Sequence, residues 1–392
     1  MRQVLSLRMR ILHTSDWHLG RSLHRESLIK AQRAFLEALV DLVRTKNIEV
    51  VAVAGDVFDR AIPPLDAIDL FTWVLEELAG LGVPLIMISG NHDSPRRLGV
   101  NARLIERAGI HLRTDPSDCA RPAVVEDEHG PVAFYGLPYF EPALVHVSLG
   151  AEAASHQAVL TAAMDRVRAD LAARPGTRSV VLAHAFVTDA KTSDSERDIS
   201  AGGVPSVPAA VFTGADYVAL GHLHRCQTIS DRIRYSGSPI AYSFSEAPYD
   251  KAMWLVDLGA DGGVTAEKIP CPVTRPLHHI TGNLKDLLKD PDHTRFEQCW
   301  LHVSLTDPDR PYMAMEQLRQ RFPHILKLTF TAEEQPADDT TFRSRVEGRT
   351  DHEIAVDFLS YATHSHATDT EQQLLLQGLE EVRTAAAERE AS

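Results

Sequence analysis

Five short apolar runs in this chain stop on side chains that bind metal ions. Ile11 to Thr14 leads into Asp16-Trp17-His18, and Val50 to Ala54 into Gly55-Asp56. Val83 to Ile88 leads into Gly90-Asn91-His92-Asp93. Val180 to Ala183 meets His184, and Tyr217 to Leu220 meets Gly221-His222-Leu223-His224. Short continuous apolar runs read as strands buried on both faces. In open α/β sheets the ligand crevice lies beyond the carboxyl ends of the strands. The chain must then fold so that five strand ends carry Asp, Asn and His into one crevice. Asp16 and His18 are two apart, as are His222 and His224, and in extended chain that spacing sets both side chains on one face. Glycine precedes a candidate ligand at positions 55, 90 and 221, where a residue without Cβ lets the backbone turn sharply.

Asp, Asn and neutral His form a nitrogen–oxygen donor set suited to Mn²⁺, Fe²⁺ or Zn²⁺. The candidates are too many for one ion and about enough for two. Paired divalent ions activate water and clamp both oxygens of an in-line displacement at phosphorus. Asp56 is the natural bridge, since a carboxylate can offer an oxygen to each ion. His92 stands where an acid or charge stabiliser would meet the leaving oxygen, and Asp93 is placed to orient its imidazole. There is no G-x-x-x-x-G-K-[ST] loop, which counts against ATP hydrolysis by the chain itself, and no H-E-x-x-H of a zinc peptidase. The four cysteines, Cys119, Cys226, Cys271 and Cys299, are far apart and form no C-x-x-C pair, so they read as incidental thiols of a reducing compartment.

The order of elements predicts domains. A helical pattern over Glu26 to Lys46 and another over Leu65 to Ala79 alternate with the first three strands, which implies a sheet of parallel character. Strands follow near His111, Ala123 and Val132, then a helix over Ala153 to Ala173 and a long polar loop, Thr188 to Val207. Few helices intervene among the strands near Tyr217, Gln227, Ile233 and Met253, which suggests antiparallel pairing there. After Asp261-Gly262-Gly263 the pattern changes. The spans read as a main domain over 1–269, a small α/β unit over 270–331, a polar linker over 332–350 and a helical segment over 351–392 with a break near His364 to Asp369. In that last segment Ile354, Phe358 and Tyr361 make one apolar stripe, and Leu374, Leu375, Leu379 and Val382 another, as a partner-docking element would.

Of the net charge of −14, the last 62 residues hold −9, from 14 acids against 5 Lys and Arg. No basic footprint argues for nucleic acid, although bound metal ions could supply positive charge where a phosphate sits. Arg21, Arg60, Arg96 and Arg97 flank the ligand stretches. No apolar run approaches the ~18–20 residues of a membrane span, and the first ten residues lack a signal-peptide core. A cytoplasmic protein without a membrane association is expected, with Met9, next to the first strand, as an alternative start.

The ordered series Asp16-x-His18, Gly55-Asp56, Gly90-Asn91-His92-Asp93, His184 and Gly221-His222-x-His224 resembles the calcineurin-like metallophosphoesterase superfamily. Thr14-Ser15-Asp16-Trp17-His18-Leu19-Gly20, Gly55-Asp56-Val57-Phe58-Asp59, Ser193-Asp194-Ser195-Glu196-Arg197 and Tyr235-Ser236-Gly237-Ser238-Pro239 resemble, within it, the SbcD nuclease subunits. The resemblance implies a two-sheet α/β/β/α sandwich, a small α/β capping domain and a C-terminal helical segment that binds the SbcC ATPase. It implies two Mn²⁺ ions, one held by Asp16, His18, Asp56 and His224 and the other by Asp56, Asn91, His184 and His222, with His92 in the catalytic histidine place. It further implies a homodimer that processes DNA double-strand breaks, as a 3′–5′ exonuclease on duplex ends and an endonuclease on single strands and hairpins. Archaeal relatives carry a second functional histidine three residues after the bridging aspartate; Asp59 stands there here. The other reading is a phosphatase or small-molecule phosphodiesterase of the same fold. Gly55-Asp56-Val57-Phe58-Asp59-Arg60 partly matches the phosphatase pattern, but Ala61 replaces its glycine.

Overall fold

The computed structural model describes residues 8–188, 190–196, 206–331, 349–363 and 365–390. Residues 1–7 ahead of Met9, residues 332–348 of the predicted linker, Arg197 with the rest of the polar loop to 205, and His364 lie outside the described residues. The chain divides into two compact units between His278 and His279.

The first unit holds two six-stranded sheets. In chain order its main strands are β1 (Arg8–Thr14), β2 (Val50–Ala54), β3 (Leu85–Ile88), β4 (Ile110–Arg113), β5 (Ala123–Asp127) and β6 (Gly130–Leu137). They continue as β7 (Arg178–His184), β8 (Tyr217–Gly221), β9 (Gln227–Ser230), β10 (Ile233–Tyr235), β11 (Ala252–Gly259) and β12 (Val264–Pro270). One sheet runs β12-β11-β1-β2-β3-β4 and the other β9-β10-β8-β7-β6-β5. The period-2 alternation of strand side chains divides each sheet between two cores. Ile11, Val50, Ile86, Phe134, Val180 and Trp254 fill the layer between the sheets. Leu12, Val51 and Val53 face helices Ile29–Thr45 and Leu65–Leu81, through Phe35, Leu39, Leu70 and Val74. Val181, Ala183 and Leu220 face helix His156–Ala172, through Leu160, Ala163 and Val167. This is the expected α/β/β/α sandwich.

Parallel pairing joins β1 to β2, β2 to β3 and β3 to β4, as the strand–helix alternation predicts. The antiparallel expectation for the second half holds only in part. β8 pairs parallel with both β7 and β10. The chain leaves β8, runs out to the edge as β9, and returns as β10 between the two; only the β9–β10 pair in this sheet section is antiparallel. A strand, rather than a helix, makes the crossover. β11 pairs antiparallel with β1 and with β12, closing the first sheet with strands from late in the unit. The first helix starts at Ile29, because Ser22–Leu23 and Glu26–Ser27 pair as a small ribbon. The pattern over Asn101 to Ala108 is a four-residue helix followed by a 3₁₀ turn.

The second unit has a three-stranded sheet, Leu277–Gly282, Trp300–Leu305 and Ile325–Phe330, in that order. Ile280, Leu301, Val303, Leu287, Leu318 and Phe322 form its core with helices Leu284–Lys289 and Ala314–Arg321. Helices Asp351–Thr363 and Asp369–Glu390 follow. Each begins with a Thr-x-x-Glu box: Thr350 with Glu353, and Thr368 with Glu371, exchange backbone and side-chain bonds. Phe358, Tyr361, Leu374 and Val382 stay exposed. Among the described residues no helix is long and apolar enough to cross a membrane.

Candidate metal centre

Four of the seven expected ligands sit on left-handed backbone: Asp16 (φ 53°), His18 (φ 44°), Asp56 (φ 49°) and His222 (φ 101°). Such conformations cost about 1–3 kcal/mol each in non-glycine residues and persist only where their surroundings impose them. Here the loops are laced to one another. Asp16 N–H donates to Gly55 O at 3.0 Å, His18 N–H to Asp56 O at 3.0 Å and Leu19 N–H to Val57 O at 2.9 Å. His222 N–H donates to Asp16 Oδ1 at 3.0 Å, tying the second sheet to the first. Two glycines permit the close approach. A Cβ on Gly90 would stand 2.1 Å from Asp56 Oδ1, and one on Gly221 2.0 Å from Ala54 O.

All seven expected ligands meet at the carboxyl ends of their strands, three loops coming from the first sheet and two from the second. His18 Nε2 and His224 Nε2 face each other at 3.1 Å, and both lie with Asp16 in one ligand-sized cluster. Asp16 also forms a cluster with Asp56 and His184. Asp56 Oδ2 stands between the two histidine sets, 3.6 Å from His18 Nε2 and 3.5 Å from His184 Nε2. Asn91 Oδ1 lies 2.9 Å from His184 Nε2 and 3.2 Å from His222 Nδ1.

The donors fit divalent ions. His184 Nδ1 faces the Ala54 carbonyl at 2.9 Å, which can only accept, so Nδ1 carries a proton and Nε2 is the nitrogen turned to the pocket. Nε2 meets oxygens of Asn91 and Asp56, a convergence satisfied by a proton on Nε2 or by a divalent ion in its place. The titrations follow from burial and from the charges that face one another. Burial alone would depress His184, but Asp56 and the bond to Ala54 raise it to about 9. Burial raises Asp16 to about 6 and lowers His222 to about 3. Burial also opposes charge on Asp56, yet His184, His18 and His92 together hold its carboxyl well below the usual range. A dianionic, imidazole-rich pocket with its donors turned inward suits two such ions.

Asp93 does not orient His92. Its carboxylate accepts backbone N–H bonds from Phe58 (2.9 Å), Gly90 (2.9 Å) and Val57 (3.1 Å). It pins two ligand loops together, because buried amides at a turn leave no other acceptor within reach. The ring of His92 is held instead by the Asp59 carbonyl, 2.8 Å from Nδ1. Asp59, in the place of the relatives' second histidine, clusters with His18 and His92. Its carboxylate also lies 3.4 Å from Arg21 Nη1, and Arg21 lies over the Tyr242 ring. Arg60, Arg96 and Arg97 are exposed. All four cysteines are buried thiols outside any disulfide.

Sequence reasoning did not find Glu246 and Lys251, a buried ion pair behind His224. Glu246 sits in a 3₁₀ turn and Lys251 just before β11, so neither follows a ligand-bearing strand. The sequence does not mark the pair, since Asp250 stands next to Lys251 as the nearer acid.

Comparison with known proteins agrees with this geometry. A family model described as calcineurin-like phosphoesterase matches residues 9–226. One described as type 5 capsule protein repressor C-terminal domain, the SbcD C-terminal domain, matches residues 273–363. That pair of domains is the make-up of an SbcD-type nuclease subunit. Similar solved structures include GAP50, the anchor in the inner membrane complex of Plasmodium, 13% identical with a TM-score of 0.42, covering 67% of this chain and 84% of that one. TT1561 of Thermus thermophilus is 14% identical with a TM-score of 0.37, covering 67% of this chain and 99% of that one. A dimetal phosphatase from Danio rerio is 16% identical with a TM-score of 0.37, over the same 67% and 99%. With more than half of its length matched by that one family model, the chain belongs to the calcineurin-like phosphoesterases, metal-dependent enzymes that hydrolyse phosphoesters.

Proposed function

We propose that this phosphoesterase is a Mn²⁺-dependent DNA nuclease acting with an SbcC ATPase in double-strand-break processing. In this reading it is a 3′–5′ exonuclease on duplex ends and an endonuclease on single strands and hairpins, and it works as a cytoplasmic homodimer. The observation that carries the two-metal part is Asp56 Oδ2, set between His18 on one side and His184 on the other. The residues that would hold the ions are Asp16, His18, Asp56 and His224 for one, and Asp56, Asn91, His184 and His222 for the other. When bound, the ions activate a water and offset the charge that develops on the phosphoryl oxygens.

The chain's own residues do the rest. Asp56 keeps Oδ1 on the His92 N–H and turns Oδ2 into the pocket. His92, with Nδ1–H donating to the Asp59 carbonyl, acts as the imidazolium and delivers its second proton, from Nε2, to the leaving oxygen. Asp93 locks the two loops that carry Asp56 and His92. The partner assignment is supported by the C-terminal domain match and by the exposed Phe358, Tyr361, Leu374 and Val382 on the last helices. In domain terms we assign 1–269 to the nuclease, 270–331 to the cap and 351–392 to the ATPase-binding segment, joined by 332–350.

The test is cleavage of an end-labelled DNA hairpin in Mn²⁺, alone and with the ATPase subunit, with EDTA and Asp56→Asn as controls. Mn²⁺-dependent cutting lost in both controls is the expected result. Hydrolysis of a small aryl phosphodiester with no DNA cutting under any condition would replace the nuclease by a small-phosphoester enzyme.

A further inference from the structure

His224 is held at every polar atom but one. Its N–H donates to Glu196 Oε1 at 2.8 Å. Its carbonyl accepts from Lys251 Nζ at 2.9 Å and from Ser238 N–H at 3.2 Å. Its ring Nδ1 lies 2.5 Å from Ser195 Oγ. Ser195 Oγ in turn bonds to the Glu246 carboxylate, which is itself paired with Lys251. Only Nε2 is left, and it points at His18 Nε2.

The proton count along this chain is fixed by chemistry. A carboxylate bonded to an ammonium can only accept, so Ser195 must give its single hydroxyl proton to Glu246. The serine oxygen can then only accept from the imidazole, which places the ring proton on Nδ1 and a lone pair on Nε2. Lys251 matters twice. It balances the buried charge of Glu246, and through Ser238 Oγ at 2.9 Å and the His224 carbonyl it anchors that carboxylate to the strand end it serves. Glu246 is also 3.5 Å from Nδ1 directly. A hydrogen-bonded partner behind a metal-binding imidazole sets its tautomer and orientation and raises its basicity.

We propose that Glu246, acting through Ser195 Oγ and balanced by Lys251, is the positioning carboxylate of His224, so that the loop 193–196 sets affinity at one of the two metal positions. The proposal rests on the two-metal reading above. It makes the Ser195-Glu196 pair part of the metal centre: Ser195 relays to the ring, and Glu196 holds the backbone.

The experiment is Mn²⁺ titration of the full-length protein, read by loss of the free-ion electron paramagnetic resonance signal, with the melting temperature of the metal-free protein measured alongside. Ser195→Ala should weaken one of two Mn²⁺ positions by about 10–100-fold while the other stays near wild type and the metal-free protein keeps a single cooperative melt. Ser195→Thr, which restores the hydroxyl, should bring affinity back. Glu246→Gln should weaken the same position; if that variant also melts early because Lys251 is left unpaired, the Ser195 pair still decides. Two Mn²⁺ bound by Ser195→Ala with wild-type affinity would overturn the positioning role and leave the two-metal reading intact. Wild-type protein that takes up no Mn²⁺ would instead remove the two-metal reading itself.

Discussion

His92 is tied twice to the loop that carries Asp56. Its backbone N–H holds Asp56 Oδ1 at 2.9 Å, and its ring Nδ1 faces the Asp59 carbonyl at 2.8 Å. The candidate acid and the candidate bridge therefore move as one piece. The backbone amide takes one carboxylate oxygen out of the pocket and leaves the other for the ions.

His92→Ala removes the ring but keeps that backbone bond. Cleavage should fall by about 10²–10⁴-fold while the number of Mn²⁺ ions bound stays the same. Steady-state assays and metal analysis of one preparation check both halves. A variant that cuts at the wild-type rate would exclude His92 as the acid.

Asp93→Asn should act on stability. An amide offers one oxygen acceptor where the carboxylate takes three backbone N–H groups, and its NH₂ would face a buried donor. A loss of about 2–3 kcal/mol is expected in urea unfolding. Unchanged stability with lowered activity would return Asp93 to the orienting role that its sequence position suggests.

Gly90→Ala introduces a Cβ 2.1 Å from Asp56 Oδ1. The fold can give way only by moving the Asp56 loop. Mn²⁺ affinity should drop by about tenfold or more, with far-ultraviolet circular dichroism unchanged. Wild-type affinity would mean that the loop has slack which the close approach does not suggest.

His13 makes the pH dependence of folding predictable. It is fully buried between the sheets, bonded to Tyr217 Oη at 2.8 Å and Leu220 O at 3.1 Å, and burial lowers its pKa from 6.5 to about 3. The folded value lies below the unfolded one, so the native state refuses a proton that the unfolded chain accepts. The contribution of His13 is present above pH 6.5 and is lost as pH falls toward 3, with a slope approaching about 1.4 kcal/mol per pH unit. Urea melts from pH 7 to 4 on wild type and His13→Gln should show the variant with the shallower loss. Parallel curves would assign the acid sensitivity to other groups.

Deleting residues 351–392, or replacing Phe358 and Leu374 by Glu, should abolish capture by the ATPase subunit and leave Mn²⁺ binding unchanged. Both side chains are exposed, 59% and 63%, so neither change should unfold the chain. Retained capture by both variants would move the docking surface elsewhere.

The ligands were legible because strand ends and metal donors each leave a pattern, and five coincidences of the two are hard to produce otherwise. Sheet topology was less legible. Nothing in Gln227 to Tyr235 tells that the second short strand inserts beside β8 rather than pairing outward. Asp93 was misread because sequence gives neighbours and not directions: one residue from His92, its carboxylate points back into the turn. Glu246 and Lys251 were missed because supporting groups have no motif of their own; they are defined only by what they touch.

The first sheet contributes Asp16, His18, Asp56 and Asn91, all within the first quarter of the chain, yet its edge at β1 is covered by β11, which is made only after the second sheet. The second sheet supplies His184, His222 and His224. A ribosome must therefore deliver the chain past Gly259 before the early strands have all their neighbours, and past His224 before all seven clustered side chains have been made. A chain that ends before the second sheet carries Asp16, His18, Asp56 and Asn91 without the three histidines that meet them, so the cluster comes together only once the first unit is nearly finished.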